Sequence, residues 1–134
     1  MYDEFIKKLV NWANAQDGII ALALVGSRAR GTARLDSDID LVIIADDYNK
    51  FLNNGEWVDF FGGHKEIKKE DWGLLKSIRV KYDSGLEVEY GFSSLEWAKT
   101  NPVDPGTRKV VSDGMNILLD KQGVLLSLNK TVLQ

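Results

Sequence analysis

Apolar residues at Phe5, Ile6, Leu9, Val10 and Ala13 recur at helical spacing, so residues 2 to 16 are expected to form an amphipathic helix that Asp17-Gly18 ends. The next run, "IIALALVG" over residues 19 to 26, is apolar throughout and fits a strand buried on both faces. Gly26-Ser27 then turns the chain into "SRARGTA", read as a short helix beginning at Ser27. Residues 38 to 45 form a second buried strand, and residues 47 to 61 are mixed, with one short helix ending at Gly62-Gly63. "HKEIKKED" is charged and suits an edge strand, while residues 75 to 82 and 86 to 92 flank "YDSG" as a hairpin. "SSLEWAK" reads as helical with Ser93 or Ser94 as N-cap, and "NPVDPG" as a loop. Residues 107 to 114, 116 to 121 and 124 to 134 suggest helix, strand and helix. The sum is an α/β (α+β) chain with a small mixed sheet flanked by helices, in one domain over residues 1 to 134.

The hairpin pattern fixes a register. With Asp83-Ser84-Gly85 as a three-residue loop and Gly85 left-handed, Tyr82 faces Leu86 and Lys81 faces Glu87. Val80 then faces Val88, Arg79 faces Glu89 and Ile78 faces Tyr90, and every pair matches in character.

The stretch "VGSRARGTARLDSDIDLVII", residues 25 to 44, raises a chemical question. Side chains alternate along a strand, so Asp38 and Asp40 point the same way while Ile39 and Leu41 enter the core. Two like charges at the mouth of a buried strand repel, and desolvation adds to the cost. A divalent cation relieves both. Mg²⁺ takes hard oxygen ligands and commonly sits between carboxylates and phosphates. Two aspartates on one strand face can bridge two metals, the arrangement of phosphoryl and nucleotidyl transfer. Gly26 and Ser27 complement them: glycine lets a backbone approach a phosphate, and a helix start at Ser27 offers N–H groups and a hydroxyl to an anion. Arg28 and Arg30 flank this turn, where they can neutralise triphosphate charge or stand as ordinary surface arginines. Neither a Gly-Lys-Ser/Thr loop nor a G-x-G-x-x-G after the first strand occurs, so Walker-type and dinucleotide-binding readings fail.

"GS", ten residues, then "DSDID" resembles the signature of the DNA polymerase beta-like nucleotidyltransferase superfamily, and "LEVEYGF" and "SDGMNILLDKQGVL" are similar to the later part of its bacterial members. The resemblance implies a mixed sheet flanked by helices. It implies transfer of a nucleoside monophosphate from a nucleoside triphosphate, expected to be ATP, to a hydroxyl, with two Mg²⁺ ions bound alongside the nucleotide. It places the triphosphate at Gly26 and Ser27, with Arg28 and Arg30 beside them, and makes Asp38, Asp40 and a third acid both catalytic and metal-binding. The apolar–acid–aromatic pattern of that third strand falls on Val88-Glu89-Tyr90. Glu87 shares the strand face; Glu89 is favoured because it lies deeper in the sheet, with Arg79 as a neighbour that tunes its charge or touches phosphate. The acceptor can be a small molecule, as in aminoglycoside-modifying relatives. The alternatives are a partner toxin, as in antitoxin-type protein adenylyltransferases, or a non-catalytic nucleotide- or partner-binding module.

Charge and composition narrow the rest. With 17 basic and 20 acidic residues the net charge is -3, which argues against a dedicated, stable nucleic-acid binder. There is no cysteine, consistent with the cytoplasm, and no run approaches a membrane span or a signal peptide. His64 reads as incidental, and Trp57, Trp72 and Trp97 as core or rim. Val124, Leu125, Leu128 and Val132 share a helical face, with Leu126 and Leu133 outside it. The expectation from so apolar a helix is that a second copy or a partner protein covers it.

Overall fold

The computed structural model describes residues 1–133. Helix α1 covers Tyr2–Ala15 and places Phe5, Leu9 and Ala13 on its buried side, as their spacing requires. Strand β1 (Ile19–Val25) is buried at every position. It leads into α2 (Gly26–Arg30) and, after a loop, into β2 (Ile39–Ala45). Asp38 therefore stands just before its strand rather than within it.

The mixed segment over residues 47 to 61, expected to hold one short helix, holds two pieces: α3 (Asn49–Asn53) and a 3₁₀ stretch, Gly55–Phe61. The break is local chemistry. Asn54 has extended backbone and its side chain accepts from Glu56 N at 3.2 Å, which starts the second segment afresh. Trp57 then donates its indole N–H to Phe51 O at 2.9 Å, closing the two pieces on each other.

The remaining elements are β3 (His64–Trp72), β4 (Leu75–Tyr82), β5 (Glu87–Ser93), a 3₁₀ turn at Leu95–Ala98 capped by Ser94, α4 (Pro105–Asp113), β6 (Met115–Asp120) and α5 (Val124–Val132). The six strands form one sheet in the order β3-β4-β5-β2-β1-β6. Pairing is antiparallel except between β2 and β5. The hairpin adopts the register its side-chain pairs dictate, from Lys81↔Glu87 to Ile78↔Tyr90, and Gly85 turns it with a φ of 100°. β3 is an edge, as its charge suggests.

Each face of the sheet carries its own apolar layer. On one, Ile39, Leu41, Ile43, Val80, Val88 and Tyr90 meet α1 and the 3₁₀ stretch. On the other, Ala21, Ala23, Val42 and Ile44 meet Trp97, Val111, Leu125 and Leu128. The buried Tyr90 hydroxyl lies 2.8 Å from Tyr82 Oη, which in turn donates to Val58 O at 3.0 Å, so neither polar atom is stranded.

This second layer corrects the expectation for the C-terminal helix. Leu125, Leu128 and Val132 of α5 are buried within the chain itself, packed with Trp97 and Val111, so no second chain is needed to cover that stripe. Leu126 and Leu133 stay exposed, outside the stripe as their positions predict. Leu128→Ala is expected to cost about 2–5 kcal/mol in urea denaturation of dilute protein, and Leu126→Ala less than about 0.5 kcal/mol. Equal losses would mean that the inward face is not the one described.

Candidate active site

The open end of the β2–β5 pair gathers the acids. The parallel register sets Asp40 opposite Glu89, and the antiparallel hairpin sets Arg79 on the other side of Glu89. Side chains directly opposite in a ladder share a face, so one row runs Asp40, Glu89, Arg79. Asp38 joins this row from the loop: Arg79 Nη1 donates to its Oδ2 at 2.7 Å. Arg79 Nη2 donates to Glu89 Oε2 at 3.1 Å, and Trp72 Nε1 donates to Glu89 Oε1 at 3.2 Å. Glu70, on the edge strand, accepts from Arg79 Nε at 3.1 Å.

The electrostatics follow from that crowding. Burial pushes the Asp40 carboxyl above its ordinary range and the Asp38 charge pushes the same way, while a hydrogen bond with the Glu89 carboxyl and the Arg79 charge oppose them. Burial likewise raises Glu89, against the pull of Arg79. For Arg79, burial disfavours the charge, but Glu70, Glu89 and Asp38 outweigh it and hold its pKa above the usual value.

Gly26 sits over Asp40. Its φ is 73°, in the left-handed region, and a Cβ there would collide with the Asp40 carboxylate. The glycine expected to admit a phosphate is thus required by the carboxylate beneath it. The helix that follows has only five residues, so its dipole is small and the backbone N–H groups and the Ser27 hydroxyl carry any anion contact.

Two cavities meet at this point. A polar one of about 540 Å³ is lined by Gly26, Ser27, Arg30, Arg34, Ser37, Asp38 and Asp40. A largely apolar one of about 550 Å³ lies under α4, lined by Leu41, Trp72, Leu75, Ser77, Trp97 and Val110, with Asp40, Glu89, Asp104 and Asp113 also in its wall. Gly26, Arg30 and Asp40 line both.

Most of the residues singled out in the sequence are brought together here; Arg28 is not. Its Nη2 donates to Ser37 O at 2.8 Å and its guanidinium lies 4.2 Å from the Tyr2 ring centroid, so it braces the loop before β2 instead of lining the polar cavity. Glu87 stands farther from the row, 3.7 Å from Arg79 Nη1. Asp38, Asp40 and Glu89 do not converge as a ligand set: among the described residues no three acidic or histidine side chains group closely enough to hold an ion. The reason is visible in Arg79, which draws Asp38 toward β4. His64 is held by Asp59 at 2.7 Å, away from the site.

The sequence reading missed Glu70, the contact of Trp72 with Glu89, and Ser77. Glu70 and Trp72 lie on an edge strand joined to β4 by the two-residue turn Gly73-Leu74, with Gly73 at a φ of 80°, a hairpin signal that the reading of the chain passed over. Ser77 had a signal, a small uncharged residue in the strand row it shares with Arg79 and Lys81. Its Oγ is buried without a hydrogen-bond partner in the wall of the apolar cavity.

A family model described as streptomycin adenylyltransferase matches residues 1–132. No curated protein matches. Among solved structures, an aminoglycoside 6-adenyltransferase from Bacillus subtilis is similar with a TM-score of 0.56 at 16% identity, over 73% of this chain and 36% of that one. The Cid1 poly(U) polymerase (TM-score 0.38, 18% identity, 67% of this chain and 36% of that one) and a cytoplasmic RNA terminal U-transferase (0.42, 16%, 83% and 40%) are looser likenesses. The first likeness is one of fold: a mixed sheet flanked by helices. This chain spans little more than a third of the structure it resembles.

The raised carboxyls give a stability test. A carboxyl whose folded-state pKa lies above its ordinary value contributes its full stability below that ordinary value and loses it as pH rises through the folded one. Asp40→Asn is therefore expected to unfold at higher urea concentration than wild type at neutral pH, with the gain shrinking as the pH falls toward the ordinary carboxyl value of about 4, because the buried wild-type carboxyl takes up its proton above that value. A gain that grew on acidification would reverse the assigned direction.

Proposed function

We propose nucleotidyl transfer at this site, on the premise that the chain belongs to the streptomycin adenylyltransferase family. In this reading AMP passes from ATP to a hydroxyl of a small molecule. One observation carries it: Asp40 lines both a polar and an apolar cavity, and Glu89, its partner in the ladder, lines the apolar one. The polar cavity suits a triphosphate and the apolar one an acceptor, with Asp40 at their junction.

The donor chemistry suits Mg²⁺, although Arg79 holds Asp38 apart from Asp40 and Glu89 in this structure. The donor set is all oxygen, which a hard cation prefers. Two neighbouring carboxyls held above their ordinary pKa by burial gain from a positive charge beside them. Asp38, Asp40 and Glu89 would hold the ions, and bound Mg²⁺ would supply charge stabilisation at the phosphate and a lower pKa for the acceptor hydroxyl.

The chain's own groups then have distinct work. Ser27 donates to a phosphate oxygen, and Arg30 offsets triphosphate charge in the polar cavity. The acceptor enters beside Glu89, a carboxylate in the wall of the apolar cavity that can serve as general base. Glu89 takes the hydroxyl proton as the acceptor oxygen bonds to the α-phosphorus, and the bond to pyrophosphate breaks. Asp104 and Asp113 add negative charge to the wall of the acceptor cavity, which favours a cationic acceptor. The solved neighbour acts, by its name, on an aminoglycoside, a class of that kind. A protein hydroxyl is the weaker alternative, since the apolar stripe of α5 is already covered within the chain.

Pyrophosphate release from ATP, Mg²⁺ and a panel of small amines and polyols is the direct test. Asp40→Asn is expected to lower turnover by at least about a hundredfold and Glu89→Gln by a similar factor, the scale of a lost general base. Glu87→Gln is expected to cost far less. Ser27→Ala is expected to weaken nucleotide binding by about 1–3 kcal/mol in calorimetry. Wild-type turnover in Asp40→Asn would remove the reading.

A further inference from the structure

Arg79 meets four carboxylates, and they are not equivalent. Asp38, Glu89 and Glu70 each hold a separate nitrogen by a hydrogen bond. Glu87 Oε1 is 3.7 Å from Nη1, within ion-pair range but too far for a hydrogen bond. The nitrogen it faces is the one now given to Asp38. Glu87 is thus placed to accept Nη1 whenever Asp38 lets go.

The four acids also differ in how firmly they are held. Glu89 lies inside β5 and has its second oxygen on Trp72. Glu70 holds Nε from the edge strand. Asp38 precedes β2, so no ladder fixes it, and its side chain is 38% exposed against 18% for Glu89. If one partner leaves, it is Asp38.

A guanidinium brings to this corner the same sign of charge that a metal ion would bring. Like charges at this range repel, so the two compete for Asp38. Arg79 cannot swing clear, because Glu70 and Glu89 grip it from both sides.

We infer that Arg79 is a positioning residue that holds the place of the metal's charge in the resting site: it keeps Asp38 turned toward β4 and Glu89 fixed, and it passes Nη1 from Asp38 to Glu87 when metal and nucleotide arrive. This rests on the metal-dependent reading above and adds to it an order of events. Free metal binds weakly, because Arg79 already occupies the electrostatic position. The negative phosphates of the nucleotide shift the balance, so metal and nucleotide enter together. Glu87 gains a role distinct from that of Glu89, as the exchange partner rather than a ligand or base.

The test is Mn²⁺ binding followed by electron paramagnetic resonance, with and without ATP, beside steady-state kinetics. Arg79→Gln is expected to bind free Mn²⁺ at least about fivefold more tightly than wild type, the lower limit for removing a like charge at this range in a water-like dielectric. Its kcat is expected to fall more than its KM for ATP changes. Arg79→Lys keeps the charge, so free Mn²⁺ binding stays weak, but kcat still falls because one ammonium cannot hold Glu70 and Glu89 at once. Should Arg79→Gln fail to fold by circular dichroism, Glu87→Gln serves instead, and it is expected to bind Mn²⁺–ATP more weakly than wild type. If wild type binds Mn²⁺ with ATP but neither Arg79→Gln nor Glu87→Gln shifts the affinity, the role of Arg79 is overturned and the metal reading stands. If wild type binds no Mn²⁺ even with ATP, the metal reading falls and takes this role with it.

Discussion

Where β2 runs parallel to β5, Asp40 and Glu89 face each other at the end of two buried strands, and burial makes both charges costly. The features around them act on that cost. Arg79 reaches across from β4, Trp72 donates from β3, and Gly26 leaves the room that Asp40 occupies. The site is best understood as a local excess of negative charge that the fold tolerates because the sheet fixes its members in register. Loops alone could not hold such a set against its own repulsion.

The two apolar layers explain why the register holds. Ile39 and Leu41 alternate with Asp40 and are fully or almost fully buried, so β2 cannot slip by one residue without exposing them and burying the acid. Val88 and Tyr90 constrain β5 in the same way around Glu89. The chemistry is positioned by residues that never touch it.

Much of this was legible in the chain. The alternation around Asp40 and the matched pairs of the hairpin depend on nearest-neighbour rules, and those rules suffice to place Arg79 beside Glu89. The adjacency of Asp40 and Glu89 depends on a parallel pairing between distant segments, which the superfamily likeness suggested but local patterning does not specify. The edge strand was read as charged surface because its hairpin with β4, closed at Gly73-Leu74, was not recognised; that pairing puts Glu70 within reach of Arg79, and Trp72 then meets Glu89 one strand farther on. Arg28 was misplaced for a related reason. Proximity to the Gly-Ser turn suggested phosphate, whereas Ser37 O and the Tyr2 ring, neither predictable from spacing, hold the side chain elsewhere. The terminal helix looked in need of a partner because a helical stripe shows how much apolar surface there is, not what lies across from it.

Gly26 and Asp40 share one volume, and this has a bearing on how the sequence can vary. A side chain at position 26 would push the Asp40 carboxylate aside, and the left-handed backbone would strain it whatever stood at position 40. A smaller residue at 40 would relieve the contact but not the strain. Change at the turn therefore reaches the site before it reaches the fold: bulk gained at 26 moves the acid first.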